Sequence, residues 1–427
     1  MTPGRTRRAS SATPVLPARF DASDPLVLDN PYPRYAELRH AGPLARGGPG
    51  TWLVTRYSDV AALLGDGRLG NAFPPSYHAV SLGQGPASEF FRRIIFYRDP
   101  PLHTRLRRLM AASFTPRLVG ALRERIRGQV DDILRRALEA GRFDAVGDLA
   151  YPLAFNVICL LIGIPSDDRD EVRPHAARLA RGFSLGLTDE ERRATDDATV
   201  WLQRYLEQLL VERRRRTGDD LLGRMRSAEE GRDRLTHQEI VDNCVFLLWA
   251  GFETVLSVIG TGFAALLRFP GEFARLRANP SLAGAAVEEF LRFDAPIQGT
   301  SRLVRKEVEI GGRRVRPGRV LVLVLASANH DERVFAEPER LDVTRRPNPH
   351  LSFGGGRHRC LGNVLARTEA TVVFEQVARR FAALEPAGEP ERQMAIVWMR
   401  FHSKVPLTVE PVRGRSSETG RRESRAA

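Results

Sequence analysis

Cysteine is scarce. The 427 residues contain three, Cys159, Cys244 and Cys360, with no paired spacing. That speaks against a disulfide framework and a zinc knuckle, and for a reducing compartment. No apolar run opens the chain, which argues against a signal peptide or an N-terminal anchor. No Lys-Ser/Thr follows the glycine run Gly354-Gly355-Gly356, so a phosphate-binding P-loop is poorly supported. The net charge of +13 is carried almost entirely by arginine, part of it at the two ends of the chain. Without interleaved aromatics or a known module it does not point to nucleic acid. There is no internal repeat and no convincing inter-domain linker.

Two of the cysteines sit in apolar helical runs, FNVICLLIG and VDNCVFLLW, and read as small buried hydrophobes. Cys360 does not. It lies in HLSFGGGRHRCLG, residues 350–362, among arginine, histidine and glycine. The glycines let the backbone approach something flat or bulky. The following residues carry Val364, Leu365, Val372, Val373, Val377 and Phe381 at helical spacing. Cys360 is therefore expected at a helix start, where free N–H groups and the helix dipole favour a thiolate suited to a metal or to nucleophilic attack.

The longest apolar stretch, Cys244 to Leu267, could span a bilayer by length, but Glu253 sits near its middle. A helix buried through the centre of a large domain is the better reading. It starts at a capping box, Thr236-x-x-Glu239. Inside it lies Ala250-Gly251-Phe252-Glu253-Thr254, whose buried acid requires a reason, either an arginine partner or a functional pairing with the threonine hydroxyl. His103 and Arg107 share a helix face after Pro100–Pro101, and Glu289 and Arg292 are one turn apart. Alone, either pair reads as solvated surface.

Phe353-x-x-Gly356-x-x-x-Cys360-x-Gly362 resembles the haem-thiolate loop of the cytochrome P-450 family. His350, His358 and Leu365-Ala366-Arg367 resemble its soluble bacterial members. The acid–alcohol segment, His103-x-x-x-Arg107 and Glu289-x-x-Arg292 follow the family in the right order, so the resemblance covers roughly residues 20–410. It departs at Val255, where a second Thr or Ser is common, which puts only auxiliary hydrogen bonding in doubt.

The resemblance implies a mainly α, single-domain fold with a small β region, and haem b between the long central helix and the Cys-loop helix. Residues 1–19 would be a basic arm and 411–427 a basic tail. Cys360 would be the iron ligand, with Phe353, Gly354 and Gly362 beside it. His103, Arg107, Arg302 and His358 would pair the haem propionates. Ala250 and Gly251 would leave room for the ligand, and Glu253 and Thr254 would handle protons. Glu289 and Arg292 would form a buried lock with Arg340, or alternatively with Arg345 or Arg346. The segments at 65–98, Phe183–Leu187 and Val397–Met399, with Ala250 and Ile297, would flank the substrate.

The implied activity is a cytoplasmic, monomeric monooxygenase that hydroxylates or epoxidises an apolar natural-product intermediate. No flavin or nicotinamide segment is present, so electrons would come from an iron–sulfur ferredoxin and its NAD(P)H-dependent reductase. An oxidative-coupling or peroxide-using enzyme and a non-catalytic haem sensor are the alternatives. The intact Glu253–Thr254 pair speaks against the sensor.

Overall fold

The computed structural model describes residues 18–114, 116–184, 186–213, 220–230, 233–394 and 398–412. The N-terminal third begins with helices α1 (Pro25–Asp29) and α2 (Tyr32–Ala41), strands β1 (Ala45–Gly48) and β2 (Thr51–Val54), and helix α3 (Tyr57–Leu64). It continues through β3 (Leu69–Gly70), α4 (Pro75–Leu82), α5 (Pro86–Arg93), α6 (Leu102–Ser113), α7 (Pro116–Ala140) and β4 (Arg142–Asp144). The helical middle holds α8 (Tyr151–Ile162), α9 (Arg169–Ala180), α10 (Asp189–Glu212), α11 (Leu221–Ser227), β5 (Glu229–Glu230), β6 (Asp233–Arg234) and α12 (His237–Arg268). Then come α13 (Pro270–Ala278), α14 (Ala283–Phe293), β7 (Thr300–Val304), β8 (Val308–Ile310), β9 (Arg313–Val315), β10 (Val320–Leu323) and α15 (Leu325–Ala328). Helix α16 (Asn363–Arg380) and strands β11 (Phe381–Pro386), β12 (Glu391–Arg392), β13 (His402–Lys404) and β14 (Pro406–Pro411) close the chain.

Helix α12 is the axis. Thr236 and Glu239 form the expected capping box at its start, and most of its length is buried among α8, α10, α14 and α16. Its length and apolarity would suffice for a membrane span, as would those of residues 145–162. Both are accounted for by their place in the helical core, whose largest hydrophobic cluster runs from Leu82 to Val409. Beside that core lies a five-stranded sheet of order β1-β2-β10-β7-β3, antiparallel except between β10 and β2.

Four expectations change. Residues 65–98, rich in Gly, Pro and Ser, show no clear period and read from sequence as irregular, yet α4 and α5 lie there, each with proline in its first turn, where the missing N–H costs nothing. Ser58 reads from sequence as the cap of a short helix, but α3 already begins at Tyr57, and the Tyr57 N–H is taken instead by the Asp331 carboxylate at 2.9 Å. Residues 394–410 read from sequence as a final hairpin, but the strands there part: β13 pairs with β12, and β14 pairs with both β11 and β4. The β4 contact spans more than half the chain, beyond any local pattern. Lastly, the basic ends join the fold slightly inside their expected limits: Arg19 bridges Arg46, and Val412 donates its N–H to the Arg380 carbonyl. Residues 1–17 and 413–427, Arg214–Arg216 and Val397 lie outside the described residues.

The meander between α15 and α16 is held by α14. Glu289 is fully buried, and its carboxylate accepts from Arg292 Nε and Nη2, both at 2.8 Å, and from Arg345 Nε at 3.1 Å. The Asp342 N–H (3.0 Å) and Asn348 Nδ2 (3.1 Å) also donate to it. The third partner is thus Arg345. Arg340 is a correction: its guanidinium is 54% exposed beside Glu337, and it gives the cluster only its carbonyl, which Arg292 and Arg345 reach at 3.2 Å. Arg345→Met, which strips one partner from a buried carboxylate, is expected to cost roughly 3 kcal/mol. Arg340→Met should stay within about 0.5 kcal/mol, as surface changes do. Denaturation midpoints of the two variants decide, and equal losses would return the role to Arg340.

Candidate active site

The Cys360 loop is built from tight backbone geometry. Gly354 (φ 64°) and Gly356 (φ 60°) take left-handed conformations, and a Cβ on Gly356 would meet the Leu64 carbonyl oxygen at 2.5 Å. The glycine run thus serves close packing against the end of α3. The Cys360 N–H donates to the Phe353 carbonyl at 2.9 Å, which closes the loop. Above the Phe353 ring stands the Arg367 guanidinium, 4.3 Å from its centroid. Helix α16 begins at Asn363, two residues beyond Leu361, with Gly362 at its cap. The thiol is accessible to solvent yet closely surrounded, so desolvation pushes its pKa up, against the Gly362 N–H and Arg107, Arg367 and Arg359, which favour the thiolate. The expected bias toward thiolate is therefore not met by the protein alone; a metal cation on the sulfur would supply what desolvation removes.

His103, Arg107, Arg302 and His358 come together beside this loop. The imidazoles of His103 and His358 lie 4.0 Å apart between centroids. His103 is 2% exposed with Nδ1 unpartnered, and the His358 Nε2 is also buried without a partner. Burial, then Arg107 and Arg357, push His103 down to about 4. Burial, then His103, Arg302 and the other arginines, push His358 down to about 2. Arg302 is depressed to about 10 by burial above all. Four cation-capable groups thus crowd one region, with Asp99 the one carboxylate that offsets His103 and Arg302. Such a set, with buried nitrogens lacking acceptors, fits a ligand that brings its own anionic oxygens. A haem, with two carboxylates and a metal for the cysteine, matches both the charge and the donor chemistry.

On α12, the Thr254 hydroxyl donates to the Ala250 carbonyl at 2.9 Å. Glu253 accepts from Trp249 Nε1 at 2.7 Å, a partner that sequence reading missed. Burial raises the Glu253 carboxyl to about 7, with the Trp249 bond opposing. No arginine pairs with it among the described residues, so the salt-bridge explanation falls away. Its side chain lines a cavity of about 150 Å³ with Tyr151, Phe401, His402 and Ser403. His402, 4% exposed with Nδ1 unpartnered, gave no sequence signal. Gly251 is a correction: a Cβ there would strike Ile158 Cδ1 at 2.5 Å, so its smallness serves the packing of α12 on α8 and not a ligand.

Glu288 was also missed. It accepts from Arg367 Nε at 2.6 Å and faces His350 Nε2 at 3.0 Å. Although burial raises it, these partners hold it down at about 2. The motif residues His350 and Arg367 therefore brace the loop from behind. Buried Asn329 accepts the Leu351 N–H at 2.7 Å and donates to Ser352 Oγ at 2.8 Å.

The family model described as Cytochrome P450 matches residues 175–401. The biotin biosynthesis cytochrome P450 of Bacillus subtilis (strain 168) is 33% identical over 389 residues, covering 90% of this chain and 97% of that one. Nocardicin C N-oxygenase of Nocardia uniformis subsp. tsuyamanensis is 38% identical over 383 residues, covering 87% and 93%. Among solved structures, CalO2 superposes with a TM-score of 0.86 at 34% identity, covering 92% and 99%. P450BioI in complex with hexadec-9Z-enoic acid ligated acyl carrier protein gives 0.84 at 32%, covering 90% and 100%.

Glu253 has a pH signature. Its pKa is raised on folding, so between about pH 4.5 and 7 the folded state holds a proton that the unfolded chain releases. Its contribution to stability is greatest below that window and is lost as pH rises through it. Wild type should therefore lose melting temperature relative to Glu253→Gln between about pH 5 and 8. Parallel curves for the two proteins would show that Glu253 titrates normally.

Proposed function

The chain belongs to the cytochrome P450 family and is a bacterial-type P450 monooxygenase, and from that premise we propose that it oxidises an apolar small molecule of natural-product biosynthesis with haem b held by Cys360. The observation that carries the reading is the pairing of one accessible cysteine with a buried, under-neutralised set of cationic side chains. Family relatives named for antibiotic intermediates, nocardicin C and 6-deoxyerythronolide B, support the substrate class.

When bound, the haem supplies reductive activation of O2, with one oxygen atom entering the substrate and the other leaving as water. The protein's own part is to hold it and to manage protons. Cys360 would ligate the iron through its sulfur, and Arg107, Arg359 and Arg367 would favour the anionic form. His103, Arg107, Arg302 and His358 would donate to the propionate oxygens and thereby recover what burial costs them. The Thr254 hydroxyl, whose one proton is given to the Ala250 carbonyl, would accept a hydrogen bond on the oxygen side, or donate one there on releasing that carbonyl. Glu253, with a proton affinity near neutrality, can both release and recapture a proton at working pH. Its cavity gives that carboxyl a place to meet water.

We further assign residues 20–410 to one catalytic domain acting as a cytoplasmic monomer. A ferredoxin, reduced by its NAD(P)H-dependent reductase, would deliver electrons on the face that exposes Arg357 and Arg359 beside Cys360.

The carbon monoxide difference spectrum of the reduced protein should show the long-wavelength Soret band of thiolate ligation, and Cys360→Ser should lose it. An unchanged spectrum in that variant would remove Cys360 as the ligand. Thr254→Ala should keep the spectrum but divert electrons to peroxide or water. Full coupling of electrons to product in Thr254→Ala would withdraw Thr254 from oxygen activation.

A further inference from the structure

Charge is left uncompensated at a second place, a cleft of about 340 Å³ formed by α4, α5 and the turn that follows them. Its charged lining is Arg92, Arg93, Arg98 and Glu89. Arg93 is already satisfied: its Nε lies 2.7 Å from the buried Asp242 carboxylate, and its Nη1 lies 3.6 Å from Glu89. Glu89 is thus engaged. Arg92 is exposed and has no carboxylate partner among the described residues. Arg98 is half-buried, and its Nε reaches only the Arg93 carbonyl, at 3.3 Å. Burial, Arg92 and Arg93 all lower its proton affinity, and the more distant Glu239 and Asp242 offset this in part.

His78 lines the same cleft. It is 4% exposed, and its Nε2 has no hydrogen-bond partner. Burial, then Arg92, hold the ring neutral. Two guanidinium groups and one unpartnered imidazole nitrogen therefore border a space whose one lining carboxylate, Glu89, is 64% exposed and turned to Arg93 at 3.6 Å. An oxyanion would satisfy all three.

Phe73 and Tyr97 line the cleft, and from them a chain of packed rings continues into the core. His78 packs edge-on against Tyr97 at 4.6 Å, and Phe73 meets Tyr97 at 6.1 Å. Tyr97 abuts Phe96 at 4.8 Å, and Phe96 reaches Phe246 at 6.0 Å. Phe246 is on α12, eight residues before Thr254, or about 12 Å along the helix axis. The rings lead from the basic cleft to the helix that carries the oxygen-handling threonine.

We propose that this cleft recognises an anionic end of the substrate, a carboxylate or a phosphate monoester, while the substrate's apolar body lies along these rings toward Thr254. This assigns Arg92, Arg98 and His78 to substrate specificity, and it rests on the monooxygenase reading of Thr254. The substrate class is thereby an elongated amphiphile with one acidic terminus.

Dodecanoate, dodecyl phosphate and dodecanol form a matched set of probes for the haem-loaded enzyme. With nitrogen-15-labelled histidine, the His78 resonances should move with the two anions and not with the alcohol. The Soret spin-state titration should give an affinity for at least one anion about tenfold above that for dodecanol. In the Arg92→Ala/Arg98→Ala double variant that advantage should fall below about twofold, with the affinity for dodecanol and the carbon monoxide spectrum unchanged. A preference for one anion names the terminal group. The proposal is overturned if His78 ignores both anions, if the alcohol moves it equally, or if the preference survives in the double variant. Anion binding at His78 without any Soret response would overturn the substrate assignment. The histidine signal needs no catalysis. A protein that lacks the thiolate spectrum yet shows the His78 shift would therefore lose the haem-thiolate reading and keep the anion site.

Discussion

Two adjacent carboxylates on α14 hold the part of the molecule on which the chemistry depends. Glu289 gathers Arg292, Arg345, Asn348 and the Asp342 N–H, and Glu288 gathers His350 and Arg367. Between them they fix both ends of a long stretch with little regular structure, from the residues after α15 to the first turns of α16. Such a segment has few backbone hydrogen bonds of its own, and its position must be imposed from outside. A fully buried carboxylate is expensive unless its oxygens are all used. Once they are, it tolerates little displacement of any partner. The register of the Cys360 loop is therefore set from behind, on a rigid helix, before any ligand is bound.

The same residue type does opposite work on the other side of the core. Glu288 takes hydrogen bonds from Arg367 and His350 and stays ionised, held at about 2. Glu253 has a single neutral donor and is raised to about 7. The first environment fixes a charge and so fixes geometry. The second leaves the proton mobile and so permits transfer. The two acids are thus separated by what surrounds them and not by sequence, since both lie one or two residues from an apolar helix face.

This difference explains what could be read from the chain. The Cys360 loop, the capping box at Thr236 and the length of α12 depend on residues close in sequence, and they were legible. Helices α4 and α5 were not, because each is short and the prolines that start them read equally well as loop. Gly251 was assigned to a ligand because smallness in a helix does not say which neighbour needs the space; Ile158 does. Arg345 and Arg340 are five residues apart in an irregular segment, where no period tells which side chain turns inward. Glu288, His402 and the β4–β14 pairing depend on contacts across the fold that leave no local trace.

Arginine supplies nearly all the positive charge here, and its distribution is uneven in a telling way. Several surface arginines find an acid within a turn, as Arg173 finds Asp170 and Arg135 finds Asp132 and Glu139. Such pairs contribute little to stability and need no further reason. Partly buried arginines without acids are different, because a guanidinium cannot escape its charge by losing a proton. Arg302 beside the Cys360 loop and Arg98 beside His78 both carry that cost in the protein alone. Anything that binds only the folded state and brings negative oxygen recovers it, so affinity and stability rise together by linkage. An energetic defect in the isolated chain is then a binding site seen before its ligand. On that physical ground the cationic cluster beside Cys360 and the α4–α5 cleft are the same kind of object, each holding buried positive charge with too little negative charge beside it.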